Sequence, residues 1–163
     1  MTILGIDPGY AIVGTGLVDY AGSAFTLLEA AAITTQAGTA FDTRLCEIHA
    51  GVAALIARHR PAAMAIEKLF FNTNAKTAID VAQARGVIVL AAAQAGVPVY
   101  EYTPLQVKQS VVGYGRAEKR QVQDMVKLLL RLSACPKPDD VADALAIAIC
   151  HAHSAGSLMR LMR

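Results

Sequence analysis

The sequence predicts an α/β fold with a mixed five-stranded sheet flanked by helices. Three observations point there. Short β-branched runs separated by turn signals crowd the first third of the chain. Beyond them, apolar runs of strand length alternate with stretches of helical periodicity. No internal repeat, low-complexity tract or linker interrupts the pattern, so residues 1–163 read as a single domain, with those after about residue 154 the candidates for disorder.

Thr2–Ile6 is a short apolar run stopped by Asp7-Pro8-Gly9, a turn signal. Ile12–Val18 carries β-branched residues and two glycines, and Asp19-Tyr20-Ala21-Gly22 breaks it. Phe25–Ile33 supplies a third strand, so the opening reads as an antiparallel meander. Gly38 and Thr39 precede a helix with Leu45, Ile48, Val52, Leu55 and Ile56 at helical spacing, ending near Arg58-His59-Arg60-Pro61. Ala62–Ile66 is a buried strand that delivers Glu67. Past Asn72-Thr73-Asn74, a helix runs from Ala75 to about Ala95 and stops at Gly96. Val97–Tyr102 is the fifth strand, and Thr103 caps a short helix with Pro104 at its first position. The loop Gly113-Tyr114-Gly115-Arg116 leads to a helix from about Glu118, and the last helix opens at Pro138-Asp139-Asp140.

Composition narrows the function classes. The most apolar stretches, Gly86–Tyr100 and Ala144–Met159, fall short of the roughly 18 residues of a membrane span. The start of the sequence lacks the pattern of a secretion signal, and a cytoplasmic location without membrane attachment is expected. Cys46, Cys135 and Cys150 have neither disulfide nor zinc spacing and are expected as reduced, core or half-buried thiols. Net charge is only +2, yet Lys108–Arg131 holds six basic residues against two acidic ones, a stripe that permits phosphate binding without requiring it.

Four acidic residues stand apart from those on solvent-facing positions. Asp7 and Glu67 each follow an apolar strand directly, where open α/β sheets place ligands. Asp140 and Asp143 sit three apart at the start of an apolar helix and so share a face. Carboxylates gathered in this way suit two divalent cations about 3.5–4 Å apart, the arrangement that activates water and neutralises charge on a phosphodiester. Each residue also has a plainer reading. Asp7 would cap a turn, and Asp140 and Asp143 would favour a helix start through capping and the macrodipole. Glu67 resists this, because a charge closing a buried strand needs a partner.

An ordered set of short blocks resembles the RuvC-type Holliday junction resolvases. They are Gly5-Ile6-Asp7-Pro8-Gly9 with Gly14 and Gly16, Glu67-Lys68-Leu69-Phe70-Phe71, and Ala82-Gln83-Ala84-Arg85-Gly86. Gln106-Val107-Lys108-Gln109, Val112-Gly113 with Ala117-Glu118-Lys119, and Asp140 through Ala146 follow in the same order, from residue 3 to about residue 153. The resemblance implies an RNase H-like fold, a homodimer, and metal-dependent cutting of four-way DNA junctions by symmetric paired nicks, in recombination and repair. It implies Asp7, Glu67, Asp140 and Asp143 as catalytic acids and metal ligands, holding two magnesium ions per site with manganese as a substitute. Junction branch-migration machinery is an implied partner.

Within that resemblance, Phe70 matches an aromatic that stacks on DNA, with Phe71 assigned to packing. Lys108 and Lys119 match basic residues near the scissile phosphate; both would otherwise read as solvated helix lysines. Arg116, Arg120 and Lys76 are candidate phosphate contacts on charge and location. The apolar face of the Ala75–Ala95 helix is the candidate dimer contact, with core packing as its other reading. Tyr10-Ala11 departs from the small polar or basic pair common after Asp-Pro-Gly. Lys68 replaces a frequent glutamine and is expected to face away from Glu67 by strand alternation. His151 and His153 are expected at the surface or near the dimer contact. An RNA- or flap-cutting nuclease of the same fold and a non-catalytic junction-binding module are the alternatives; an actin-like nucleotide-binding fold would need a much longer chain.

Overall fold

The computed structural model describes residues 1–69 and 75–161, with side chains for 1–69 and 78–155. β1 (Thr2–Asp7), β2 (Ile12–Ala21) and β3 (Ala24–Thr34) form the meander that the early turns dictate. α1 (Phe41–His59), β4 (Ala63–Glu67), α2 (Ala75–Gln94) and β5 (Val99–Tyr102) alternate after it, and α3 (Pro104–Val112), α4 (Lys119–Leu129) and α5 (Asp139–Leu161) complete the chain. The sheet order is β3-β2-β1-β4-β5. β1 pairs antiparallel with β2 and parallel with β4, so the mixed five-stranded sheet is as expected.

Alternation along β1 divides the core into two layers. Leu4 and Ile6 pack with Val13, Leu17, Met64 and Ile66 against α1 and α2. Ile3 packs with Val18 and Ala65 against α3, α4 and α5, where Leu145, Ile149, Val107 and Val126 are buried. On that second face, three glycines of β1 and β2 lie directly beneath α5. A Cβ at Gly5 would overlap the Ala144 carbonyl oxygen, and one at Gly14 would overlap the Asp140 carbonyl oxygen. At Gly16 it would lie 2.6 Å from Leu145 Cδ2. These glycines let the α5 backbone settle onto β1 and β2, which sets where Asp140 and Asp143 emerge.

Local chemistry explains the helix starts near the site. The Thr103 hydroxyl accepts from the Gln106 N–H at 3.2 Å and the Gln106 side chain accepts from the Thr103 N–H at 2.8 Å, a capping box with Pro104 following. Glu118 and Gln121 repeat the box at the start of α4. α3 ends at Gly113 in the left-handed region, φ 97°. β5 begins at Val99, two residues later than expected; Pro98 has no N–H for the ladder and contributes only its carbonyl, which accepts from Met64 N at 2.9 Å.

Two expectations need correction. His151 is buried rather than at the surface, at 4% exposure. It lies on the face of α5 turned toward β5, with its Nδ1 2.8 Å from the Tyr102 hydroxyl and its ring 4.4 Å from that of Tyr100. His153 is partly buried beside Phe25, with Nδ1 3.1 Å from the Ser110 carbonyl. Cys46 is exposed on α1 rather than core or half-buried, whereas Cys135 is half-buried and Cys150 buried; all three are free thiols.

Candidate active site

Asp7 ends β1 and Glu67 ends β4. The strands run parallel with Ile6 opposite Ile66, so the two carboxylates emerge side by side at one end of the sheet. α5 begins at that same end, with the Asp140 carbonyl seated on Gly14, the residue paired with Asp7 across the β1–β2 ladder. A cavity of about 240 Å³ is lined by Asp7, Glu67, Asp143, Lys108 and Lys119, over an apolar floor that includes Val107, Val122 and Ile147. Asp140 lies at the edge of this arrangement and lines a neighbouring hollow with Tyr10 and Asp80.

Electrostatics report how tightly the acids are gathered. Burial pushes the Asp7 carboxyl up to about 7, and the charges of Glu67, Asp143 and Asp140 push in the same direction against Lys119. Glu67 is raised too, by burial first and then by Asp143, with Lys119 again opposing. The Lys119 ammonium lies 2.9 Å from Asp143 Oδ2 and 3.6 Å from Asp139 Oδ2. Its hydrogen bond to Asp143 raises its own pKa. Asp139 is shared with Lys137, 2.9 Å away, whose hydrogen bond holds the Asp139 carboxyl below the usual range.

Among the described residues, no three acidic, histidine or cysteine side chains converge closely enough to coordinate one ion as they stand. The donor set nevertheless fits a hard divalent cation. It consists of carboxylate oxygens alone, and their mutual repulsion is what such an ion would relieve. With Lys119 hydrogen-bonded to Asp143, that carboxylate would exchange an ammonium for a metal on binding.

The sequence-selected residues thus divide. Asp7, Glu67, Asp143, Lys108 and Lys119 meet in one cavity, and Asp140 adjoins it. Arg116 and Arg120 are exposed, and Arg120 Nε lies 4.0 Å from Asp124 Oδ2, one turn further along α4. Phe70 and Phe71, and the side chain of Lys76, lie outside the described residues. Lys68 is exposed, and its backbone N–H donates to the Tyr102 carbonyl at 2.8 Å.

Three contributors escaped sequence reasoning. Asp139 read as a helix-start residue but partners Lys119. Arg85 on α2 donates from Nε to the Glu67 carbonyl at 3.4 Å and pairs with Glu101, bracing the ends of β4 and β5. Its only sequence signal was its place in the Ala82–Gly86 block. Arg44 closes on the turn after Asp7, a long-range contact with no signature in local pattern.

Comparison with known proteins identifies the family. Residues 3–151 match the family Crossover junction endodeoxyribonuclease RuvC. A protein of that name from Ruminiclostridium cellulolyticum is 59% identical over 161 residues, covering 98% of this chain and 97% of the relative. Another, from Alkaliphilus metalliredigens, is 60% identical over 154 residues, covering 94% of each. Among solved structures, Thermus thermophilus RuvC in complex with Holliday junction substrate superposes with a TM-score of 0.92 at 42% identity, covering 95% of this chain and 94% of that one. The yeast mitochondrial Holliday junction resolvase Ydc2 shares the fold at a TM-score of 0.67 and 14% identity, covering 97% of this chain and 82% of that one. A sheet end that gathers acids opposite lysines, in a chain matched along nearly its whole length, therefore belongs to the RuvC family of crossover junction endodeoxyribonucleases.

Proposed function

We propose that this chain resolves four-way DNA junctions by symmetric paired nicks, through metal-dependent phosphodiester hydrolysis at the Asp7–Glu67–Asp143 cavity. The observation that carries this reading is the meeting of those three carboxylates with Lys108 and Lys119 in one cavity, with Asp140 at its edge. Asp7, Glu67, Asp140 and Asp143 would hold magnesium, two ions per site, with manganese as a substitute. Such ions, when bound, supply an activated water and neutralise charge developing on the phosphate.

The chain's own residues divide the remaining work. Lys119 balances Asp143 until substrate arrives and then serves, with Lys108, as a point charge toward phosphate oxygens. Asp7 holds its proton up to about pH 7 without a cation, so a cation would compete with that proton and displace it from the carboxylate. Phe70 stacks on a distorted base, and Lys76, Arg116 and Arg120 track the backbone.

A homodimer supplies two sites for two opposed nicks. α2 is its candidate contact. Ala84, Ile88, Ala91 and Ala92 are buried in the core, while Ile79 and Leu90 on the outer side are 58% and 48% exposed. Gln83, Gly86 and Ala93 are also exposed and share their stripe, at alternating spacings of four and three residues. Branch-migration machinery as a partner and a cytoplasmic location complete the reading.

The test is a labelled mobile four-way junction incubated with magnesium, manganese or chelator, beside an Asp7→Asn variant. Paired nicks that need metal and vanish in the variant, while junction binding persists, are expected. Tight binding without nicking in either metal would reduce the chain to a junction-binding protein.

A further inference from the structure

The turn that follows Asp7 is gripped from outside the acidic cluster, and the geometry points to Arg44 as a positioning residue for that cluster. Residues 8–11 carry the chain from β1 into β2. Arg44, on the second turn of α1, donates from Nε to Thr35 Oγ1 at 2.8 Å. Its Nη2 lies 3.4 Å from the Tyr10 carbonyl, and its guanidinium carbon stands 3.7 Å from the centre of the Tyr10 ring.

Thr35 completes the grip. It is buried, and its hydroxyl donates to the same Tyr10 carbonyl at 2.8 Å while accepting from Arg44. Its backbone N–H donates to the Ala11 carbonyl at 3.0 Å. Phe41 packs its ring 5.5 Å from that of Tyr10. Two consecutive carbonyls of one short turn thus take three donors, all from outside it. Gly9 tightens the turn further, since a Cβ there would overlap the Ile12 carbonyl oxygen.

This grip bears on two acids at once. The turn leaves directly from Asp7, and Tyr10 lines the hollow of about 330 Å³ that Asp140 and Asp80 also line. Among the described hydrogen bonds of the Arg44 side chain, all go to Thr35 and Tyr10, so Arg44 acts on the acids through the turn. Outer partners that orient metal ligands are worth about 10–100-fold in metal affinity or activity. The inference rests on the nuclease reading, and Arg44 is assigned a role in cleavage rather than in holding DNA.

The test compares the wild-type chain with Arg44→Gln, Arg44→Lys and Thr35→Val. Four quantities are read: single-turnover cleavage of a four-way junction in magnesium, junction affinity in chelator, manganese affinity by calorimetry, and the thermal midpoint. Arg44→Gln is expected to lose about tenfold in rate and about tenfold in manganese affinity, while junction affinity holds within about twofold. Arg44→Lys should recover part of both, because an ammonium keeps the charge over the Tyr10 ring but cannot fork to two oxygens. Thr35→Val should follow Arg44→Gln in direction.

Three results would overturn the assignment. Junction affinity falling about tenfold with a shallower salt dependence would make Arg44 a phosphate ligand. A lowered thermal midpoint with manganese affinity unchanged would leave it a purely structural residue. Wild-type rate and manganese affinity in folded Arg44→Gln would remove the role altogether. A wild-type chain that leaves the junction intact overturns the nuclease reading instead, and the manganese affinities then still decide the role of Arg44.

Discussion

Lys119 Nζ stands 2.9 Å from Asp143 Oδ2, so a cation of the chain's own already neutralises one of the acids assigned to metal. This pair links helix α4 to helix α5 across the mouth of the site. Within the pair, the Lys119 charge lowers the proton affinity of Asp7 and Glu67 against the larger, opposite push of Asp143.

Replacing Lys119 with Met should therefore do more than remove the proposed phosphate contact. Without the ammonium, Asp7 and Glu67 hold their protons to higher pH. Cleavage is expected to fall by about 10-fold or more near neutrality, with its rise displaced to higher pH. A pH series of single-turnover cleavage would read this. An unshifted profile with lower amplitude would leave Lys119 acting on phosphate alone.

Asp7→Asn should trade activity for stability. The folded chain binds the Asp7 proton more tightly than the unfolded chain does, so stability in the absence of metal falls as pH rises from about 4 to about 7. Asparagine carries no charge and escapes this loss. At pH 8 in chelator, the variant is expected to be more stable by about 1–3 kcal/mol, and at pH 4 the difference should vanish. Denaturant melts at the two pH values would measure it.

Gly14→Ala should damage catalysis without touching a charged group. The new methyl would meet the Asp140 carbonyl oxygen, forcing α5 away from the sheet where Asp140 and Asp143 emerge. A loss of about 1–3 kcal/mol in stability is expected, together with a cleavage rate down about 10–100-fold. Full activity at reduced stability would mean that the acids tolerate displacement of α5.

His151 should make folding sensitive to mild acid. Burial lowers its pKa from 6.5, so below about pH 6.5 the unfolded chain takes up a proton that the folded chain refuses, and stability falls. His151→Gln keeps a polar group for the Tyr102 hydroxyl and removes the titration. Thermal midpoints between pH 7.5 and about 5 should drop less steeply in the variant.

The sequence was most legible where one residue pattern had one local cause. The β1–β3 meander, the Thr103–Pro104 cap and the acidic ends of β1 and β4 all follow from runs, turns and caps within about ten residues. Asp7, Glu67 and Asp143 were found together because strand ends and a helix start are visible in sequence and the fold brings them to one end. What stayed hidden depends on long-range packing. The grip of Arg44 on Tyr10 spans 34 positions, and the burial of His151 depends on Tyr102, 49 positions away. Periodicity carries no record of such pairs. Gly5, Gly14 and Gly16 looked like family signature or strand punctuation, and their meaning emerged only when α5 lay upon them.

The strand order places β1 at the middle of the sheet, with β4 beside it and a further strand outside each neighbour. Amide protons there should be among the slowest of the molecule to exchange, since opening them requires parting the sheet from both layers of helices. Asp7 and Glu67 are anchored to that slow frame. Lys108 and Lys119 sit instead on α3 and α4, helices of 9 and 11 residues packed on one face. Asp7 and Glu67 thus form a fixed template, and any shift of α4 that carries Lys119 away also releases Asp143 from its ion pair, so α4 and α5 must move in register.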